Sequence, residues 1–227
     1  MMADIVCVGA HPDDVEIGMG GVAATMARQG ADVLIVDLTD GEPTPFGTHE
    51  RRMVEAAAAA STLGCRRVTL GLANRRLADG PEARQALAEV LRAERPGIVF
   101  APYPEDAHPD HEAAARIAEA ARFYAKLTKS DMAGEPHYPA RLYRYMAVHL
   151  RLVREPSFLV DVSDTLPLKL EALRRYESQF SDNPANASLL EHVERTARHW
   201  GDIARVFAAE PFFSAEPPVV ASVSDLV

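Results

Sequence analysis

Short apolar runs alternate with longer amphipathic segments through the first half of the chain. Four runs have the length and composition of buried strands, at residues 5–8, 33–36, 68–70 and 98–101. The segments that follow them are predicted to be helices over residues 20–29, 49–63, 81–95 and 109–126. Gly30 and Gly64 come directly after two of these helices, in a position that favours glycine. This alternation is typical of a parallel sheet with helices on both faces and predicts an α/β fold.

The pattern is less regular beyond residue 127. It predicts strands over residues 142–148 and 158–162, and helices over residues 165–179 and 189–208. Residues 210–227 carry three prolines and are predicted to form an extended tail. At 227 residues, the chain is expected to form a single domain. Its parts are a Rossmann-like half (1–127), a C-terminal group of strands and helices (128–209) and the tail (210–227).

The composition narrows the range of functions. The chain has 24 basic and 33 acidic residues, a net charge of -9, so it has no basic excess to neutralise nucleic-acid phosphates. No apolar run reaches ~18 residues, and the N-terminal residues do not have the pattern of a secretion signal. Cys7 and Cys65 are too few for a disulfide framework. We therefore expect a cytoplasmic protein that does not bind nucleic acid and does not span a membrane.

A histidine and two aspartates follow the first predicted strand. His11, Asp13 and Asp14 lie on the turn that leads from this strand to the next helix. In open α/β sheets, ligands bind outside the carboxyl ends of the strands. The spacing of His11 and Asp14 suits two ligands of one divalent ion. Asp13 lies between them and is then free to act as a general base towards a water molecule.

A second cluster, of His108, Asp110 and His111 around Pro109, follows the fourth predicted strand. Right-handed crossovers place the carboxyl ends of both strands at one edge of the sheet, so this cluster can supply a third ligand. Because Pro109 imposes an extended entry to the helix, the two histidines occupy different places. Three protein ligands with an open fourth position are typical of catalytic zinc.

Together the two motifs resemble those of the zinc-dependent N-acetylglucosamine de-N-acetylases, the PIG-L or LmbE-like family. The resemblance is carried by Ala10-His11-Pro12-Asp13-Asp14 and His108-Pro109-Asp110-His111. Further similarity is found at residues 37–42, 52, 55–57, 63–64, 75, 158–164, 178–180 and 212–213. The resemblance implies hydrolysis of the acetamide of an N-acetylglucosaminyl conjugate. It is strongest to the bacillithiol-pathway branch, whose substrate is N-acetylglucosaminyl malate.

The resemblance also implies a role for each residue of the motifs. Three side chains are expected to bind zinc: His11, Asp14 and His111. Asp13 is expected to be the general base, and His108 to stabilise or protonate the charged species of the reaction. Asp110 is expected either to orient a histidine or to cap the helix. The metal itself is not fixed, because nitrogen and oxygen ligands also suit other divalent transition metals.

Arg52 and Arg75 match family positions that contact the substrate. An arginine fork pairs with a carboxylate in bidentate geometry, so both arginines are expected to bind a malate aglycone. The acid that protonates the leaving amine is not identified by the sequence, and three residues remain candidates for it: Tyr143, Tyr145 and His149. Members of the family tend to form homo-oligomers, so a homo-oligomer is also implied.

Residues 18–23 point to an alternative function from another class. Gly18, Gly20 and Ala23 match the G-x-G-x-x-A dinucleotide fingerprint, which would make the protein a nicotinamide-binding oxidoreductase. That fingerprint opens directly after the first strand, whereas residues 11–18 intervene here, so we favour the hydrolase. Two further alternatives are a deacetylase of another N-acetylglucosamine conjugate or chitooligosaccharide, and a catalytically silent metal-binding protein of the same fold.

Overall fold

A mostly parallel sheet of seven strands, surrounded by helices, organises the computed structural model, which describes residues 2–146, 149, 154–217, 219 and 222. The strands are β1 (Ile5–Gly9), β2 (Val33–Thr39), β3 (Arg66–Leu72), β4 (Ile98–Pro102), β5 (Arg141–Tyr145), β6 (Phe158–Asp161) and β7 (Ala209–Phe213). The helices are α1 (Asp14–Arg28), α2 (His49–Leu63), α3 (Pro81–Glu94), α4 (Pro109–Ala125), α5 (Leu166–Arg174), α6 (Glu177–Phe180) and α7 (Leu189–Ala204), with a short 3₁₀ helix at Pro184–Asn186. The strand order is β3-β2-β1-β4-β5-β7-β6, which confirms the predicted α/β class.

The position of β1 determines where the two histidine motifs meet. β1 lies between β2 and β4 and is parallel to both, with Ile5 opposite Val33 on one side and Ile98 on the other. The carboxyl ends of β1 and β4 are therefore adjacent at one edge of the sheet, and each leads into one of the motifs. β7 is the exception to the parallel arrangement, because it runs antiparallel to both β5 and β6.

Hydrophobic cores form on both faces of the sheet, because side chains alternate along each strand. Ile5 and Cys7 of β1 belong to the core beneath α1, α2 and α5. Val6 and Val8 belong to the opposite core, beneath α3 and α4. In the part of the chain that the structure describes, no helix combines the length and apolar character needed to cross a membrane.

A buried cluster of charges lies between the sheet and α1. Arg67 of β3 pairs with Glu16 and with Asp37, in each case at 2.6 Å, and both carboxylates are inaccessible to solvent. The hydroxyl of Tyr176 donates a hydrogen bond to Glu16 at 2.8 Å. A buried carboxylate without a counter-ion destabilises the folded state, so the stability of the protein depends on Arg67 as the counter-ion of Glu16 and Asp37.

Several helix and strand boundaries differ from the predictions. α1 begins at Asp14 rather than residue 20, with a break in helical geometry at Met19. The helix predicted over 165–179 is divided into α5 and α6, because Tyr176 leaves helical geometry and its side chain is buried in the core. α7 ends at Ala204 instead of residue 208. The strand predicted over 142–148 ends at Tyr145, and residues 147 and 148 lie outside the described residues.

The predicted tail over residues 210–227 is wrong where the chain forms β7. This strand pairs on both sides, with β5 and with β6. Phe212 is fully buried, with its ring 5.2 Å from that of Phe100 and 5.5 Å from that of Phe158. Glu210 is also buried and pairs with Lys169 at 2.5 Å. Aromatic burial and this ion pair outweigh the weak strand propensity of a segment that contains proline.

Candidate metal centre and cavity

The first motif forms the turn between β1 and α1. Asp13 has a φ of 117°, a strained value for a residue with a side chain, and such strain clusters at functional sites. Asp14 begins α1, and its Oδ2 accepts hydrogen bonds from the backbone N–H groups of Ala10 at 2.9 Å and His11 at 3.0 Å. These bonds fix the carboxylate and leave its Oδ1 to contact the second motif.

The second motif forms the start of α4. His108 is the N-cap residue, and its Nδ1 accepts a hydrogen bond from the backbone N–H of Asp110 at 3.2 Å. Pro109 occupies the first helical position, where its missing N–H is not needed. This arrangement places His111 in the first turn, where it is only 2% exposed.

Donor atoms of the three predicted metal ligands converge in the buried interior of the site. His111 Nε2 lies 3.3 Å from His11 Nδ1 and 3.2 Å from Asp14 Oδ1. The second oxygen of Asp14 lies 3.6 Å from His11 Nδ1. Two donors of a tetrahedral zinc site, with bonds of ~2.0–2.1 Å, are ~3.3–3.4 Å apart. The spacing and chemistry of these side chains therefore fit one divalent ion.

Each of the two converging histidines contacts a further carboxylate through its other ring nitrogen. Asp110 Oδ2 lies 3.3 Å from His11 Nε2, and Asp106 Oδ2 lies 3.1 Å from His111 Nδ1. Carboxylates in this position orient the histidines that bind metals. The contacts of Asp110 favour orientation over helix capping, because the side chain that caps α4 is that of His108. Asp106 is not predicted from the sequence, because this loop residue belongs to no recognisable pattern.

The surrounding carboxylates make the site attractive to a cation. Burial alone would lower the pKa of His11, but hydrogen bonds to Asp110 and Asp14 raise it to about 9. Burial likewise opposes protonation of His111, yet Asp14 and Asp106 raise its pKa to about 10. The two rings thus lie in a strongly negative field, which a bound divalent ion would also experience.

Asp13 and Arg52 form an ion pair beside the metal-ligand cluster. Arg52 is 2% exposed, and its Nη2 donates to Asp13 Oδ2 at 3.0 Å and to the carbonyl of Pro12. Its guanidinium lies over the ring of Tyr176, 5.4 Å from the centroid. Burial raises the pKa of Asp13 to about 6, although the charge of Arg52 opposes the rise. Arg52 therefore holds the predicted base in place and favours its ionised form.

A cavity of about 510 Å³ opens over these residues. Seven of the eight predicted site residues line it: His11, Asp13, Asp14, Arg52, Arg75, His108 and His111. The eighth, Asp110, contacts His11 and accepts a hydrogen bond from the backbone N–H of Arg75 at 2.7 Å. Other polar residues of the cavity have no role predicted from the sequence: Thr44, Asn74, Gln179, Asn186, Ser188, His192 and Arg195.

Of the three candidates for the leaving-group acid, only His149 lines the cavity. Its ring stacks on that of His111, with the centroids 5.1 Å apart. Tyr145 is fully buried and its hydroxyl donates to the carbonyl of Val8. Tyr143 packs among aromatic side chains of the core, including Phe100. The geometry therefore favours His149 over the two tyrosines.

The glycines of the dinucleotide fingerprint serve helix packing. A Cβ atom at Gly18 would overlap the ring of Tyr145, and one at Gly20 would lie 3.2 Å from Cγ of Lys169. Both glycines are inside α1, whereas a dinucleotide-binding turn presents its glycines to the pyrophosphate before the helix begins. The arrangement therefore contradicts the nicotinamide alternative.

The fold and the site define the chain as an α/β protein with a His–Asp–His cluster at the carboxyl ends of its central strands. Residues 6–122 match the PIG-L family, described as GlcNAc-PI de-N-acetylase. The diacetylchitobiose deacetylase of Thermococcus kodakarensis is 35% identical over 198 residues, which cover 79% of this chain and 71% of that protein. The chain therefore belongs to the PIG-L family.

Two further comparisons agree with this assignment. A 1D-myo-inositol 2-acetamido-2-deoxy-alpha-D-glucopyranoside deacetylase of Saccharopolyspora erythraea is 30% identical over 255 residues, covering 85% of this chain and 90% of that protein. The crystal structure of the conserved protein TT1542 from Thermus thermophilus superposes with a TM-score of 0.89 and 41% identity. That superposition covers 97% of this chain and 98% of the other, so the shared fold extends beyond the matched residues 6–122.

Proposed function

We propose that the protein is a zinc-dependent amidohydrolase that removes the acetyl group from an N-acetylglucosaminyl conjugate. The observation that carries the proposal is the convergence of His11, Asp14 and His111 beside Asp13, on the floor of a cavity large enough for a sugar. Membership of the PIG-L family and the deacetylase relatives support the same reaction.

The residues around the metal-ligand cluster activate the water that attacks the amide. When bound by His11, Asp14 and His111, zinc supplies Lewis-acid chemistry and lowers the pKa of water. Asp13 takes the proton of the attacking water, and Arg52 keeps its carboxylate oriented and ionised. These two groups account for activation of the nucleophile.

His108 is placed to stabilise the charge that develops on the acetamide oxygen. Its Nδ1 accepts a backbone hydrogen bond, so the neutral ring carries its proton on Nε2 and can donate it. Burial and the nearby His11 and His111 lower the pKa of His108, which favours this neutral form. His149 is the best-placed group to assist departure of the amine, because it lines the same cavity.

For the substrate, we favour N-acetylglucosaminyl malate, which would place the enzyme in bacillithiol biosynthesis. Relatives named for diacetylchitobiose and for an N-acetylglucosaminyl inositol make other N-acetylglucosamine conjugates and chitooligosaccharides the alternative. An anionic aglycone is supported by arginines at the cavity of a chain whose net charge is -9. Arg75 is exposed at the cavity, where its Nη2 donates to the carbonyl of Pro43 at 2.6 Å.

Acetate release from a panel of substrates tests the proposal. The panel contains N-acetylglucosaminyl malate, N,N′-diacetylchitobiose, methyl N-acetylglucosaminide and free N-acetylglucosamine. We expect every glycoside to release acetate, and the malate conjugate to have the highest kcat/KM. Equal rates for the malate conjugate and the methyl glycoside would refute the malate assignment but not the deacetylase. Absence of acetate from all four substrates, with zinc-loaded protein, would refute the proposed function.

A further inference from the structure

One wall of the cavity is a face of α7. Leu189, His192 and Arg195 line the cavity and are spaced three residues apart, so they share one side of the helix. Val193 and Ala197 are buried on another side, against the core. This wall lies outside residues 6–122, the part of the chain that matches the family. The wall is therefore separate from the two motifs and can contact a part of the substrate other than the acetamide.

Hydrogen bonds tie the segment before α7 to the rest of the site. Gln179 Nε2 donates to Thr44 Oγ1 at 3.3 Å, which joins α6 to the loop after β2. Asn186 Nδ2 donates to the carbonyl of Gln179 at 2.9 Å. Ser178 Oγ donates to Glu55 of α2 at 2.5 Å. The segment before α7 is thus tied to α2 and to the loop after β2, which lowers the entropy lost when a substrate binds against it.

Arg195 carries the charge of this wall. No carboxylate among the described residues forms an ion pair with Arg195, and its side chain is exposed to the cavity. On the same helix, Glu194 pairs with Arg198 at 2.7 Å, and Glu191, one turn before Arg195, forms no ion pair with it. An exposed guanidinium without such a counter-ion attracts an anion from solution.

We infer that Arg195 binds a carboxylate on the aglycone and makes the protein selective for anionic N-acetylglucosaminides. The inference rests on the proposed deacetylase function and adds a specificity-determining residue to it. Arg52 is 2% exposed and its Nη2 pairs with Asp13, so we place it beside the acetamide rather than the aglycone. Arg195 instead lies on the α7 wall, so it meets the aglycone while the acetamide lies near Asp13.

The test compares two substrates in three variants. N-acetylglucosaminyl malate carries carboxylates, and methyl N-acetylglucosaminide carries none. Arg195→Gln removes the charge, Arg195→Lys keeps the charge without the bidentate fork, and Arg198→Gln is the matched control on the same helix. Arg195→Gln should lower kcat/KM for the malate conjugate roughly ten- to a hundredfold, mainly through KM, because it removes a charged hydrogen bond. Arg195→Lys should show a smaller decrease in kcat/KM for the malate conjugate, and Arg198→Gln should have the kcat/KM of the wild type.

The methyl glycoside separates the possible outcomes. A loss with Arg195→Gln confined to the malate conjugate supports the inference. Equal losses on both substrates would show a structural role, and no loss on either would show that the aglycone binds elsewhere; both results overturn the inference. If wild-type protein with zinc releases acetate from neither substrate, the proposed function itself fails.

Discussion

Asp106 offers a quantitative test of the proposed metal site. Its Oδ2 contacts Nδ1 of His111 at 3.1 Å, and its Oδ1 accepts the backbone N–H of His108 at 3.0 Å. Burial would raise the pKa of Asp106, but these hydrogen bonds hold it well below its usual range. The carboxylate is therefore ionised at neutral pH, and Asp106→Asn removes a full negative charge with little change of shape.

We expect Asp106→Asn to weaken zinc binding by roughly ten- to a hundredfold, the usual effect of removing a carboxylate that orients a metal-binding histidine. This corresponds to about 1.4–2.7 kcal/mol, within the range for a hydrogen bond to a charged group. Competition with a chromophoric chelator, at fixed pH and ionic strength, measures the change. Glu105→Gln is the control, because Glu105 is the adjacent residue and pairs with exposed Arg154. Unchanged zinc affinity in Asp106→Asn, or an equal loss in Glu105→Gln, would refute the reasoning.

Three further substitutions test other parts of the account. Elemental analysis should show that His111→Ala has lost most of its bound zinc, whereas His108→Ala should retain the metal and have a lower kcat. Full zinc retention in His111→Ala would contradict the ligand assignment. Asp13→Asn should bind zinc normally and lose roughly 10²–10⁴-fold in kcat, so a near-normal rate would exclude Asp13 as the base. Arg67→Met should lower the free energy of unfolding by about 3–5 kcal/mol in urea titrations, because it leaves two buried carboxylates unpaired. Burial raises the pKa of Asp37 and Arg67 opposes that rise, so the stability lost in Arg67→Met should shrink as pH falls and the carboxyl is protonated. A loss of unfolding free energy below about 1 kcal/mol would contradict a dependence on Arg67.

The sequence predicts the strand–turn–helix units well, because each depends on a local pattern. The apolar runs of β1 and β4 are short and continuous, and each ends at a motif of histidine and aspartate. Parallel order and right-handed crossovers then bring the two motifs together without knowledge of any side-chain contact. For this reason the sequence predicts that the two motifs meet, whereas the choice of His111 over His108 as a ligand rests on the family resemblance.

Features that depend on long-range contacts are not predictable in this way. β7 contains Pro211 and lacks alternation, and it is a strand because two neighbouring strands pair with it. Tyr176 ends α5 early because its hydroxyl reaches Glu16, 160 residues away in the sequence. Arg195 lies on a helix face whose polar side would ordinarily meet solvent. Only the fold shows that this face lines the cavity.

We propose above that a single ion bound by His11, Asp14 and His111 supports deacetylation. This proposal is tested most directly by stripping the protein of metal with a chelator and titrating zinc back while acetate release from N-acetylglucosaminyl malate is followed. The account predicts no acetate from stripped protein and a rise that saturates near about one zinc per chain. Undiminished acetate release by the stripped protein, or none at any zinc content, would contradict it.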